Sequence, residues 1–248
     1  MKESMDFLVM RGDRRQNLLC DLLIADGHNA QLLSSPEKWG RENLPAPGAF
    51  LVTAKADVAL REAALAHGFR LLEYGHFPAF QQENGAVTAE GAIQVAMKHR
   101  LRTIRGSEGL VIGYGCIGRP LAALLKGLGC KRVDVAVRRE EQLWVLKGEG
   151  YHPFLSKDIE DRAENYDLIF NTAPELLLTR PVLEQLRPGA LVVDLASKPG
   201  GVDWQAAKDL NLKTVHALAL PGQLTPVSGA MVIRNAVYEL CKEEYYAR

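Results

Sequence analysis

Apolar residues recur along this chain in two alternating rhythms. Asp6–Met10 is a short apolar run that predicts a strand, and Leu18, Leu19, Leu22 and Leu23 then recur at helical spacing within 17–25, with Gly27 as the stop. Further runs at 30–33, 49–53 and Arg70–Glu73 predict strands, with a helix over Val58–His67 closed by Gly68. A second series predicts strands over 110–113, 133–137, Leu168–Asn171, Leu191–Asp194 and 214–217. Helices are expected between them near 117–128, 140–147, 181–186 and 203–210, and an amphipathic helix over 228–246. Between the two series, the Pro- and Gly-bearing stretch 75–85 reads as a crossing between domains, after which Thr88 and Glu90 start a helix that runs to Arg100.

Strand–helix alternation of this kind predicts parallel sheets with helices on their faces. The expected fold is α/β with two lobes: a smaller N-terminal α/β domain over 1–85 and a C-terminal Rossmann domain over 86–227. The last helix is expected to return to the first lobe, and a cleft between the lobes is the expected place for a substrate.

Composition narrows the function. Lys plus Arg and Asp plus Glu each number 30 in 248 residues, so zero formal charge gives no electrostatic reason to expect nucleic acid or an anionic membrane. No segment has the pattern of a secretory signal or approaches the roughly 20 apolar residues of a membrane span. The four cysteines form no C-x-x-C pair, which argues against a zinc site or a disulfide scaffold, and no metal is expected. The expected compartment is the cytoplasm.

The chemistry gathers at strand ends. Gly113-Tyr-Gly115-Cys116-Ile117-Gly118 follows an apolar run and opens a helix, the context in which G-x-G-x-x-G cradles a dinucleotide pyrophosphate. Cys116 lacks an evident base nearby in sequence and is read as part of the loop rather than as a nucleophile. Where NAD binders usually carry an acidic residue for the ribose hydroxyls, this chain has Val137-Arg138-Arg139. Two guanidinium groups there suit a 2′-phosphate, so NADP is expected over NAD. Asn171 and Thr172, and Asp194, Ala196, Ser197 and Lys198, end two later strands and are expected to face cofactor or substrate. Asp13, Arg14 and Arg15 follow the first strand, where Asp13 can equally be a helix N-cap. Candidate catalytic residues are Asp13, Arg14, Glu90 and Lys198, with the general base left open between Asp13 and Glu90.

These strings carry a resemblance. Thr88-Ala-Glu-Gly-Ala-Ile, Thr103-Ile-Arg-Gly-Ser107, the glycine loop, Ile169-Phe-Asn-Thr-Ala-Pro174, Asp194-Leu-Ala-Ser-Lys-Pro-Gly-Gly-Val-Asp203 and Leu220-Pro-Gly222 are similar to the Rossmann-type subunit of dipicolinate synthase, a family of spore-forming bacteria. The likeness runs from about Asn84 to about Gly229. It implies a dehydrogenase that works with the second, flavoprotein-like subunit of dipicolinate synthase, oxidising dihydrodipicolinate to dipicolinate during sporulation with a nicotinamide cofactor, usually NADP. The implied partners are a small dicarboxylate and that second subunit, with a homodimer also admitted, and neither nucleic acid nor membrane. Cys116 departs from the Arg usual at its position, and the first lobe is shorter than is usual in that family. Two other readings remain: another two-lobed NAD(P)-dependent dehydrogenase acting on a 2-hydroxy acid or a shikimate-like substrate, and a non-catalytic NAD(P)-binding regulator. His216, followed by Ala217-Leu-Ala-Leu, offers no evident catalytic partner for hydroxy-acid chemistry.

Overall fold

The chain is seen in a computed structural model that describes residues 4–36, 39 and 44–246. It divides into two units, 1–84 with 221–248, and 85–220.

In the first unit, β1 (Asp6–Met10) leads into α1 (Arg14–Ala25), followed by β2 (Asn29–Leu33), β3 (Phe50–Thr53), α2 (Val58–His67) and β4 (Arg70–Glu73). The sheet is parallel throughout, in the order β2-β1-β3-β4. Its central strands are apolar on both faces because helices cover both: Phe7 and Val9 enter one core with Leu19 and Leu23 of α1, and Leu8 and Leu51 enter another with Leu60 and Ala64 of α2. Each helix has the cap its sequence allows. Asp13 caps α1 by accepting from the Arg15 N–H, Asp57 caps α2 by accepting from the Leu60 N–H, and Gly68 closes α2 in the left-handed conformation at φ 70°.

Helix α3 (Pro78–His99) follows, and it corrects the sequence reading twice. Most of the supposed crossing at 75–85 is helical, and Thr88 and Glu90 lie in the middle of a 22-residue helix rather than at its start. Glu90 is exposed, and no helix-end dipole acts at either residue. Glycine is a poor helix former, which is why this segment reads as a linker. Tertiary packing overrides that preference at Gly85, where a Cβ would lie 2.2 Å from the Cys116 carbonyl oxygen.

The second unit continues with β5 (Glu108–Ile112), α4 (Gly118–Gly127), β6 (Arg132–Val137), α5 (Glu141–Gly148), β7 (His152–Leu155), β8 (Leu168–Asn171), α6 (Arg180–Glu184), β9 (Leu191–Asp194), α7 (Trp204–Asp209) and β10 (Lys213–His216). Strand β7 went unread in the sequence, because His152-Pro-Phe-Leu155 offers only four residues, one of them proline. Two short 3-10 segments, Ser156–Asp158 and Glu160–Asn165, link it to β8. All six strands are parallel, in the order β10-β9-β8-β5-β6-β7. With β5 taken as the first strand, this is the doubly wound dinucleotide-binding order, whose direction reverses between β5 and β8.

After the short α8 (Leu220–Gln223), α9 (Pro226–Tyr246) packs on α1 through Ile233, Ala236 and Val237. The Tyr238 hydroxyl donates to Asp26 at 2.7 Å, and Arg234 pairs with the same carboxylate at 3.4 Å. Among the described residues no helix is long and apolar enough to cross a membrane, and no group of His, Cys, Asp or Glu is arranged to hold a metal.

Candidate functional site

The turn from β5 into α4 has the properties that anion binding needs. Gly113 adopts φ +94°, and a Cβ there would lie 2.5 Å from the Thr172 hydroxyl oxygen. A Cβ on Gly118 would lie 2.1 Å from the Gly113 carbonyl oxygen, so both positions exclude a side chain. Gly115 differs: nothing lies within 4 Å of where its Cβ would stand, leaving the backbone open to close approach. The N-cap residue of α4 is Ile117, which supplies no side-chain acceptor to the first turn. The helix therefore presents uncapped N–H groups and the positive end of its dipole to whatever lies over the turn.

Around that turn is a cleft of about 660 Å³, lined by Gly113, Gly115, Arg138, Arg139, Gln142 and Glu175 among others. Arg138 and Arg139 are exposed at the end of β6, and no ion pair engages either among the described residues. Asp134 cannot serve as the ribose acid. It is fully buried within β6, bonded to Arg132 Nε at 2.6 Å and to the Tyr166 hydroxyl at 2.7 Å. Tyr114 also lines the cleft, half-buried beside Tyr151, its hydroxyl bonded to Glu149; burial, then that carboxylate, raises its pKa. Cys116 is exposed within the loop.

The ends of β8 and β9 form a buried polar frame. Asn171 and Asp194 are fully buried, and Asn171 Nδ2 donates to Asp194 Oδ1 at 2.8 Å. The same carboxylate accepts the Ala196 N–H at 3.1 Å and the Gly201 N–H at 2.9 Å. The Thr172 hydroxyl donates to the Ile112 carbonyl at 2.9 Å, tying the end of β8 to β5 across the switch point. Asn171, Thr172, Asp194 and Ala196 thus shape two loops from beneath, with their polar groups engaged in the frame rather than at its surface. Ser197 and Lys198 are exposed on the second loop. His216 Nε2 lies 3.0 Å from the Ala196 carbonyl, bracing the same loop.

In the first unit the C-terminal end of β1 carries Asp13, Arg14 and Arg15. Arg14 is exposed, whereas Arg15 is half-buried, holds Asp13 at 2.8 Å and reaches Asn84 Oδ1 at 3.3 Å. Burial alone would raise the Asp13 carboxyl, but the side-chain and backbone hydrogen bonds with Arg15 outweigh it and hold the pKa below the usual carboxylate value. That weakens Asp13 as a proton acceptor. Gln16 and Tyr74, absent from the sequence-derived candidates, meet in this unit with Gln16 Nε2 donating to the Tyr74 hydroxyl at 3.0 Å. Their separation by 58 positions leaves no local signal of that meeting.

Comparison with known proteins bears on this geometry. Residues 81–216 match the alanine dehydrogenase/PNT, C-terminal domain family. The dipicolinate synthase chain of Bacillus subtilis (strain 168) that carries the resemblance noted in the sequence is 32% identical over 160 residues, which cover 64% of this chain and 54% of that protein. Shikimate dehydrogenase (NADP(+)) of Geobacillus kaustophilus (strain HTA426) is 31% identical over 123 residues, covering 46% of this chain and 45% of that protein. The matched stretches thus span about half the length of these curated relatives. Among solved structures, a dipicolinate synthase chain from Bacillus subtilis superimposes with a TM-score of 0.83 at 22% identity, covering 100% of this chain and 99% of that one, and shares the two-lobed α/β fold.

Proposed function

The chain belongs to the alanine dehydrogenase/PNT C-terminal domain family, an oxidoreductase of the dehydrogenase class, and from that premise we propose that it oxidises dihydrodipicolinate to dipicolinate with NADP, as part of a dipicolinate synthase that also needs a second, flavoprotein-like subunit. The observation that carries this reading is the glycine turn, uncapped and open at Gly115, with Arg138 and Arg139 on the same cleft. The backbone from Gly115 to Gly118 would hold the pyrophosphate, and the two arginines a 2′-phosphate. When bound, the nicotinamide supplies the hydride acceptor. Loss of a hydride to it and of a proton to a base makes the pyridine ring aromatic, so the protein's share of the work is orientation and charge complementarity. The exposed cation Lys198, which follows a strand end in the second unit, is our candidate for a substrate carboxylate, and the loops over Asn171 and Asp194 for the nicotinamide ribose.

The test is turnover of freshly generated dihydrodipicolinate, followed by cofactor absorbance with NADP and with NAD, in the presence of the second subunit or without it. NADP is expected to be preferred, and Arg138→Ala to reduce that preference about tenfold to a hundredfold. Equal use of the two cofactors by the wild type overturns the NADP assignment. Absence of turnover in every combination overturns the reaction.

A further inference from the structure

The first unit contains a polar group that neither its own packing nor the proposed chemistry uses. Gln16 is 6% exposed, and its Oε1 is buried without a hydrogen-bond partner. It occupies the third position of α1 after the Asp13 cap, from which a glutamine side chain commonly turns back to the cap residue's N–H. No such bond forms here. One arm of the amide is instead tied to the Tyr74 hydroxyl, and the other presses on the β1–α1 turn, where a Cβ on Gly12 would lie 2.8 Å from Oε1. An unmet buried acceptor is costly, and this one is fixed in place by a phenol that follows another strand.

The surroundings say what the donor is attached to. Arg11, Arg14 and Arg15 against Asp13 leave a cationic excess at this turn, and neither Arg11 nor Arg14 has an ion pair among the described residues. The turn also lies where the strand order β2-β1-β3-β4 reverses, the edge at which parallel sheets take ligands. We propose that Gln16, positioned by Tyr74, is a specificity-determining residue that accepts a hydrogen bond from an N–H or O–H adjacent to a ligand carboxylate. Such a group separates ligands that carry the donor from aromatic or keto acids that lack it, because the latter leave the amide oxygen unpaired. The inference rests on the reading of the substrate as a small carboxylate, and its test separates the two.

The probes are piperidine-2,6-dicarboxylate, with a ring N–H donor, and pyridine-2,6-dicarboxylate, without one, titrated calorimetrically into the full chain. Wild type is expected to prefer the piperidine compound about tenfold. Gln16→Leu and Gln16→Met should abolish the preference, and Tyr74→Phe should reduce it, while NADP affinity stays unchanged. Melting temperature verifies that each variant is folded, and Met keeps the side-chain length should Leu repack the turn. A wild type without preference, or a Gln16 variant that retains it, overturns the proposal. If neither diacid binds but lactate is preferred over pyruvate in a Gln16-dependent way, the inference stands and the dicarboxylate reading falls. If none of these acids binds, the inference falls, whatever the turnover assay shows.

Discussion

The two parallel sheets solve the same geometric problem with opposite chemistry. Each has a switch point from which a strand leads into a helix: β1 into α1 beside β3, and β5 into α4 beside β8. In the first unit the helix start is occupied by the chain's own Asp13, itself held by Arg15. In the second, Ile117 stands at the cap without a side-chain acceptor, and Gly115 leaves the backbone bare. A helix that caps itself has little of its dipole left for a ligand, whereas one left uncapped has its N–H groups available for a phosphate. The topology makes two candidate sites, and they differ in the residue at the cap.

Gly115→Val attacks that contrast most directly. Its Cβ enters open space with no protein atom within 4 Å, so NADP binding should be lost while the melting temperature stays near wild type. Retained binding, measured by cofactor fluorescence, would show that the dinucleotide does not lie on this turn.

Asp194→Ala asks whether the buried frame beneath the second site is as binding as its geometry implies. It leaves one of the two Asn171 Nδ2 hydrogens and the Ala196 and Gly201 N–H groups short of an acceptor, and should lower unfolding free energy by about 3 kcal/mol. Chemical denaturation reads this, and a loss below about 1 kcal/mol would place the stiffness of these loops elsewhere.

The smallest effect belongs to the first unit. Asp13→Ala removes the α1 cap and should cost about 1 kcal/mol at neutral pH without weakening NADP binding. Because the folded-state pKa of Asp13 is depressed, the ionised carboxylate stabilises the fold above its unfolded pKa, and that contribution fades as pH falls through the folded value. The gap in stability between wild type and Asp13→Ala should therefore narrow below about pH 4, and a gap that persists in acid would assign the effect to packing rather than charge.

The fold was largely legible because its signals are local. Val58–His67 and Arg70–Glu73 have the bounds that periodicity and Gly68 set, and Leu168–Asn171 and Leu191–Asp194 are continuous apolar runs of the kind a doubly covered sheet requires. The glycine loop was legible for the same reason, since spacing and flanking elements suffice to define it. The errors fall where the local signal is too short, as in β7, or where local preference misleads. Gly85 reads as a linker but lies within a helix, at a place where the Cys116 carbonyl leaves no room for a Cβ, and with that correction Thr88 and Glu90 lose their place at a helix start.

The sequence by itself determined the alternation of strands and helices, the phosphate-type turn with two arginines at the next strand end, and the residues available for charge. Those are properties of neighbours along the chain, where backbone geometry and periodicity act over a few residues. Only the tertiary structure decided which of the available polar groups are free. It buried Asn171 and Asp194 as a frame, paired Asp13 with Arg15, and brought Tyr74 to one arm of the Gln16 amide while leaving the other without a partner. Hydrogen-bond satisfaction is a property of the folded neighbourhood, since each donor finds its acceptor through space and across any separation in sequence.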